Sequence, residues 1–134
     1  MKKLVVLALA ALLAACAPKA PANQVISAPG GTYTNVSAPT LRDMLRNKDF
    51  VFVNVHIPFA GDIAGTDLSI PYDQIEQNLS QLPDKHARIM LYCRSGRMST
   101  MAAETLVKLG YTNVWTLEGG MQAWQAAGFP LAVK

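Results

Sequence analysis

The sequence predicts an α/β domain built on a mainly parallel sheet with helices on both faces. Three observations carry that reading. Apolar, strand-forming runs alternate along the chain with stretches at helical spacing. The two inner runs, residues 50–55 and 88–93, are nearly continuous in apolar side chains, as strands covered on both faces are. Pro83, Gly110 and Gly128 fall where the helical stretches stop.

In chain order, Met1-Lys2-Lys3 and a short apolar run from Leu4 have the pattern of a secretory signal peptide, expected over residues 1–15. The run is too short to span a bilayer, which takes roughly 20 apolar residues. Leu13-Ala14-Ala15-Cys16 resembles a bacterial lipobox, which implies acylation of Cys16 and an exported, membrane-anchored lipoprotein facing the periplasm or the cell exterior. Ordinary signal cleavage is the alternative, since Ala15-Cys16-Ala17 also fits a small-x-small site. Residues 16–32 hold Pro18, Pro21, Pro29, Gly30 and Gly31 without hydrophobic periodicity, and are expected to be a flexible tether. The folded domain is expected over residues 33–134.

Within it, residues 33–36 read as a short strand. Ser37 can cap a helix over residues 39–47 that buries Leu41, Met44 and Leu45. Residues 50–55 form a strand. Tyr72, Ile75, Leu79 and Leu82 repeat at helical spacing up to Pro83. Residues 88–93 form the next strand, and Met98, Met101, Ala102, Thr105, Leu106 and Leu109 make a helical stripe after it. Residues 114–117 read as a strand, and 119–127 as a final helix with Met121 and Trp124 inward.

The chain has 134 residues, 12 Lys and Arg against 9 Asp and Glu, and a formal charge of +3. Lys2 and Lys3 carry two of the surplus charges, and no long basic run suggests a nucleic-acid partner. With Cys16 lipidated, Cys93 is the sole free thiol and no internal disulfide can form. Two distant histidines and no second clustered cysteine do not make a metal-ligand set. The Met and Trp residues on the helices read as core.

Cys93 ends an apolar strand and opens the run Cys93-Arg94-Ser95-Gly96-Arg97-Met98-Ser99, after which a helix begins. A buried structural cysteine is one reading. Its polar, basic neighbours argue for the other, a reactive sulfur in a partly open site. Gly96 allows a tight loop whose N–H groups turn inward, and the helix start adds free N–H groups and the positive dipole end. Arg94 and Arg97 add full charges. Together these favour an ionised, nucleophilic sulfur and an anion docked above it.

That loop resembles the active-site loop of single-domain rhodaneses, the thiosulfate sulfurtransferase family. Leu109-Gly110-Tyr111-Thr112-Asn113-Val114, Leu117-Glu118-Gly119-Gly120-Met121, Ala123-Trp124 and Gly128-Phe129-Pro130 extend the likeness over roughly residues 33–131. The resemblance implies a rhodanese-like fold and transfer of sulfane sulfur through a persulfide on Cys93, without a cofactor. A small anionic donor such as thiosulfate would dock on Arg94, Ser95, Gly96, Arg97, Met98 and Ser99, and a thiol, protein thiol or cyanide would accept. Related phosphatases use a longer Cys-x-x-x-x-x-Arg loop, whereas Ser99 stands at the matching position here. A rhodanese-fold interaction or sulfur-carrier module with little turnover is the second reading.

Two segments depart from the family. Asn54-Val55-His56 stands where most rhodaneses have Asp-Val-Arg, and Gly61-Asp62-Ile63 where they have Gly-His-Ile. An ionic contact is therefore missing or replaced. His56 is open to two readings, a packing or capping histidine or a cleft residue. His86 reads as surface, Asp62 and Asp67 as loop carboxylates, and Glu104 with Lys108 as an i,i+4 pair.

Overall fold

The structure is a computed structural model that describes residues 23–132. The expected signal segment and Cys16 lie outside the described residues. Six strands of the described residues form one sheet: β1 (Asn23–Ala28), β2 (Gly31–Val36), β3 (Val51–Asn54), β4 (Leu68–Ser69), β5 (Ile89–Tyr92) and β6 (Val114–Leu117). Their order across it is β1-β2-β6-β5-β3-β4. Every neighbouring pair is parallel except the antiparallel pair β1–β2.

Among the described residues three helices cover the sheet: α1 (Ala38–Leu45), α2 (Arg97–Lys108) and α3 (Gly120–Ala126). Strand alternation sorts the side chains between two faces. Val53, Ile89, Leu91 and Cys93 join Ala102, Ala103 and Leu106 of α2 in one cluster. Phe52, Met90 and Tyr92 join Leu41 of α1 and Met121 and Trp124 of α3 in the other. The expected α/β architecture with helices on both faces is therefore the one observed. Ser37 caps α1 as expected, its Oγ accepting from the Thr40 N–H at 3.4 Å.

Two expectations are corrected. Residues 23–32, read as part of a flexible tether, belong to a β-hairpin whose register runs from Asn23↔Val36 to Ala28↔Gly31. Ile26 and Ala28 pack against the core while Val25 stands 70% exposed, so the strand is an alternating one. The stretch with helical spacing before Pro83 is not an α-helix. It forms two short 3₁₀ turns, Tyr72–Gln74 and Glu76–Gln81, with a kink at Asn78. No side chain caps either turn, and Asn78 Nδ2 donates to the Gln74 carbonyl at 2.7 Å, drawing the backbone away from regular helix. The expected buried positions Ile75 and Leu82 are still buried.

Candidate active site

Cys93 is the first residue past β5, at the carboxyl end of the sheet, where open α/β sheets place ligands. Its Sγ accepts a hydrogen bond from the Gly96 N–H at 3.0 Å. Its S–H donates to Ser99 Oγ at 3.6 Å, and that hydroxyl in turn donates to the Gly96 carbonyl at 3.1 Å. One rotation of the Ser99 hydroxyl would turn its proton toward the sulfur instead. Gly96 closes the loop with φ 101°, and a Cβ there would lie 3.3 Å from the Gly119 nitrogen. Gly96 is also the N-cap of α2 and supplies no side chain, so the N–H groups of the first helical turn are left for an anion.

The loop is gripped from below by the start of α3. The Met121 N–H donates to the Cys93 carbonyl and the Gln122 N–H to the Arg94 carbonyl, both at 2.9 Å. That approach needs a glycine at position 120. A Cβ there would sit 2.4 Å from the Cys93 oxygen and 2.7 Å from the Arg94 carbonyl carbon and oxygen. The Gly-Gly pair was the only trace of this contact in the sequence.

The expected partly open thiol is corrected. Cys93 is 1% exposed. It continues the inward alternation of Ile89 and Leu91 toward α2, and the loop folds back over it. The loop itself faces solvent, with Arg94, Ser95 and Arg97 exposed. The sulfur thus lies at the floor of an exposed basic loop, within reach only of an atom that enters that loop. Arg94 and Arg97 are in none of the ion pairs among the described residues. Ser99 is fully buried beside the sulfur, while the partly buried Met98 packs against the core.

The region that departs from the expected pattern is rebuilt around Asp62. It is not a solvated loop carboxylate, being 6% exposed. Asn54 Nδ2 donates to Asp62 Oδ1 and to the Gly61 carbonyl, both at 2.9 Å, and the Tyr92 hydroxyl lies 3.3 Å from the same Oδ1. The Tyr92 oxygen also accepts from the Ile63 N–H at 3.0 Å and meets Thr66 Oγ1 at 2.6 Å. Burial pushes the Tyr92 hydroxyl up to about 12, with the Asp62 charge adding to the rise. A buried polar contact therefore joins β3 to the following loop, with an amide and a carboxylate as its ends. Asp67 does remain a partly exposed carboxylate. Burial raises its pKa, but the Lys48 ammonium at 2.6 Å and the Phe52 N–H at 2.8 Å outweigh that and hold it below the usual value.

His56 follows β3, and the register Asn54↔Tyr92 brings it alongside Arg94. Burial, and then the Arg94 charge, lower its pKa, which keeps the imidazole neutral at pH 7. Its main-chain N–H donates to Asn54 Oδ1 at 3.0 Å, and its Nδ1 is buried without a hydrogen-bond partner among the described residues. His86 is exposed against Thr112. The ion pair expected between Glu104 and Lys108 is not formed, and Glu104 is in no ion pair among the described residues. Among the described residues no three His, Cys, Asp or Glu side chains gather as a metal site.

A cavity of about 410 Å³, missed by the sequence reading, lies beside the loop between the N-terminal half of α2 and the end of β6.

The profile of the rhodanese-like domain matches residues 40–127. An uncharacterized protein of Synechocystis is 38% identical over 104 residues, covering 74% of this chain and 57% of its own length. A sulfurtransferase of Allochromatium vinosum is 33% identical over 86 residues, covering 63% of this chain and 79% of its own. Among solved structures, a rhodanese-related protein of Thermoplasma volcanium superposes with a TM-score of 0.64 at 26% identity, over 75% of this chain and 98% of its own. With its thiol loop, mainly parallel sheet and these relatives, the chain belongs to the rhodanese-like domain family.

Proposed function

We propose that this protein is a sulfurtransferase that carries sulfane sulfur from a small anionic donor, thiosulfate or a relative of it, to a thiol or cyanide through a persulfide on Cys93. The observation that carries the proposal is the Cys93 sulfur at the floor of a basic loop, with the Gly96 N–H 3.0 Å away and an uncapped helix start behind it. The sulfurtransferase of Allochromatium vinosum supports the reaction class.

In the first half-reaction the Cys93 thiolate attacks the outer sulfur of the donor. The sulfur–sulfur bond of the donor breaks, sulfite leaves with the electron pair, and Cys93 keeps a persulfide. Arg94 and Arg97 hold the sulfonate end. The Gly96 N–H and the first-turn N–H groups of α2 stabilise the charge that settles on the outer sulfur. Ser99 Oγ rotates to donate to the sulfur once the thiol proton is gone. In the second half-reaction the acceptor takes the outer sulfur, and the Cys93 thiolate returns. The kinetics are ping-pong. Only a narrow donor end reaches the buried sulfur, which favours a terminal sulfur atom over a tetrahedral phosphoryl group.

The lipobox-like Leu13-Ala14-Ala15-Cys16 supports anchoring of the domain to a membrane through Cys16. Labelling with an alkyne fatty acid, lost in Cys16→Ser, tests it. The near-complete cover of the sulfur favours one alternative, an envelope module that binds or carries sulfur with little turnover. Thiocyanate formation from thiosulfate and cyanide separates the two: turnover supports the enzyme, and its absence in folded protein supports the module.

A further inference from the structure

We propose that the cavity beside the Cys93 loop is the acceptor site, and that it selects thiols carrying an ammonium group. The inference rests on the sulfurtransferase reading and names the acceptor class for it. The cavity holds about 410 Å³, within the range of small-molecule sites. Ser95, Gly96 and Arg97 form one wall of it, Met101 and Glu104 of α2 another, and Glu118 at the end of β6 a third. Gly96, whose N–H lies 3.0 Å from the Cys93 sulfur, also lines the cavity, so the two share a wall residue.

Its charges set what it takes. Arg97, Glu104 and Glu118 all line it, and none of the three is in an ion pair among the described residues. Two carboxylates against one guanidinium leave it with a negative balance. The two carboxylates repel a dianionic donor from the Glu104 and Glu118 side, so its sulfonate stays over the loop at Arg94 and Arg97. The acceptor remains. A compact thiol would seat its carbon chain on Met101, its ammonium group between Glu104 and Glu118, and any carboxylate at Arg97. The thiol proton goes to bulk water. The acceptor sulfur then bonds to the outer sulfur of the persulfide, the Cys93 sulfur–sulfur bond breaks, Cys93 keeps the electron pair, and the acceptor leaves as a persulfide.

The test uses the full chain, loaded with thiosulfate, freed of excess donor and checked by intact mass. Discharge is then timed with cysteamine (ammonium), 2-mercaptoethanol (neutral) and 3-mercaptopropionate (anionic). These thiols differ in intrinsic reactivity, so the readout is the rate ratio between thiols in wild type against the double variant Glu104→Gln/Glu118→Gln. The double variant is expected to lower the cysteamine-to-mercaptoethanol ratio about fivefold, the size of two partly exposed charge contacts, and to raise the mercaptopropionate ratio. About 1 M salt should compress the wild-type preference in the same direction, which keeps the proposal testable without any variant. Ratios that change with neither salt nor substitution overturn the acceptor assignment while leaving the sulfurtransferase reading intact. A folded protein that never takes up sulfur overturns both.

Discussion

Gly120→Ala is the substitution that most strains the contact between α3 and the thiol loop. The added Cβ would lie 2.4 Å from the Cys93 carbonyl oxygen and 2.7 Å from the carbonyl of Arg94, inside the 3.0 Å that real Cβ atoms keep. Both neighbours are backbone, so no side chain can swing aside. Either α3 recoils or the loop moves, and the hydrogen bonds from Met121 and Gln122 to the loop carbonyls stretch or break. Two such bonds at about 1 kcal/mol each, plus about 1–2 kcal/mol for a non-glycine residue in the left-handed region at φ 58°, total about 3–4 kcal/mol. That is a large part of a small domain's stability, about 5–15 kcal/mol. If the fold survives, a 1 Å shift of the sulfur costs about a hundredfold in turnover. Gly128→Ala is the matched control, with φ 88° and no atom of the described residues within 4 Å of the new Cβ. Urea unfolding and the thiocyanate assay on both variants give the answer. Gly120→Ala should lose clearly more stability and activity than Gly128→Ala. Equal losses would mean that left-handed strain alone explains both, and that the close approach does not hold the loop.

Cys93→Ser should reduce thiocyanate formation to background while the melting temperature stays within a few degrees, by calorimetry and the cyanide assay together; retained turnover would remove Cys93 as the nucleophile. Arg94→Ala and Arg97→Ala should each raise the KM for thiosulfate about three- to tenfold in steady-state kinetics, because each removes a charge contact to the sulfonate. Tyr92→Phe leaves the Ile63 N–H and Asp62 short of a partner in the buried network and should cost about 1–3 kcal/mol in urea unfolding. His56 has a folded pKa below its ordinary 6.5, so the unfolded chain binds more protons just below that value. Its contribution is therefore fully present at higher pH and is lost as pH falls below about 6.5, because protonation then favours the unfolded chain. Stability measured from pH 7.5 down to pH 5.5 should fall less in His56→Gln than in wild type, and parallel curves would remove His56 from the acid-side loss.

Much of the site was legible because it is local. A cysteine at the end of an apolar run, a glycine three residues on and a helical stripe from Met98 lie within one strand–loop–helix unit, and spacing alone orders them. Ser37 before the α1 stripe was legible for the same reason. What escaped depends on residues far apart in the chain. Asp62 looks like any loop carboxylate until Tyr92, thirty positions on, is folded against it. The sulfur's burial follows from the inward alternation of β5, which the polar neighbours of Cys93 hid. The hairpin at residues 23–36 was masked by proline and glycine, which build its turn and also suggest a tether. Residues 72–82 keep the apolar period of a helix, but Asn78 supplies a competing backbone bond that the period does not register.

Intact mass of the full chain after exposure to thiosulfate bears most directly on the central claim. A gain of one sulfur atom, located on Cys93, stripped by cyanide and absent from Cys93→Ser, is the expected result. A folded protein whose mass does not change would mean that the loop seals the thiol away, and that this domain does not carry sulfur.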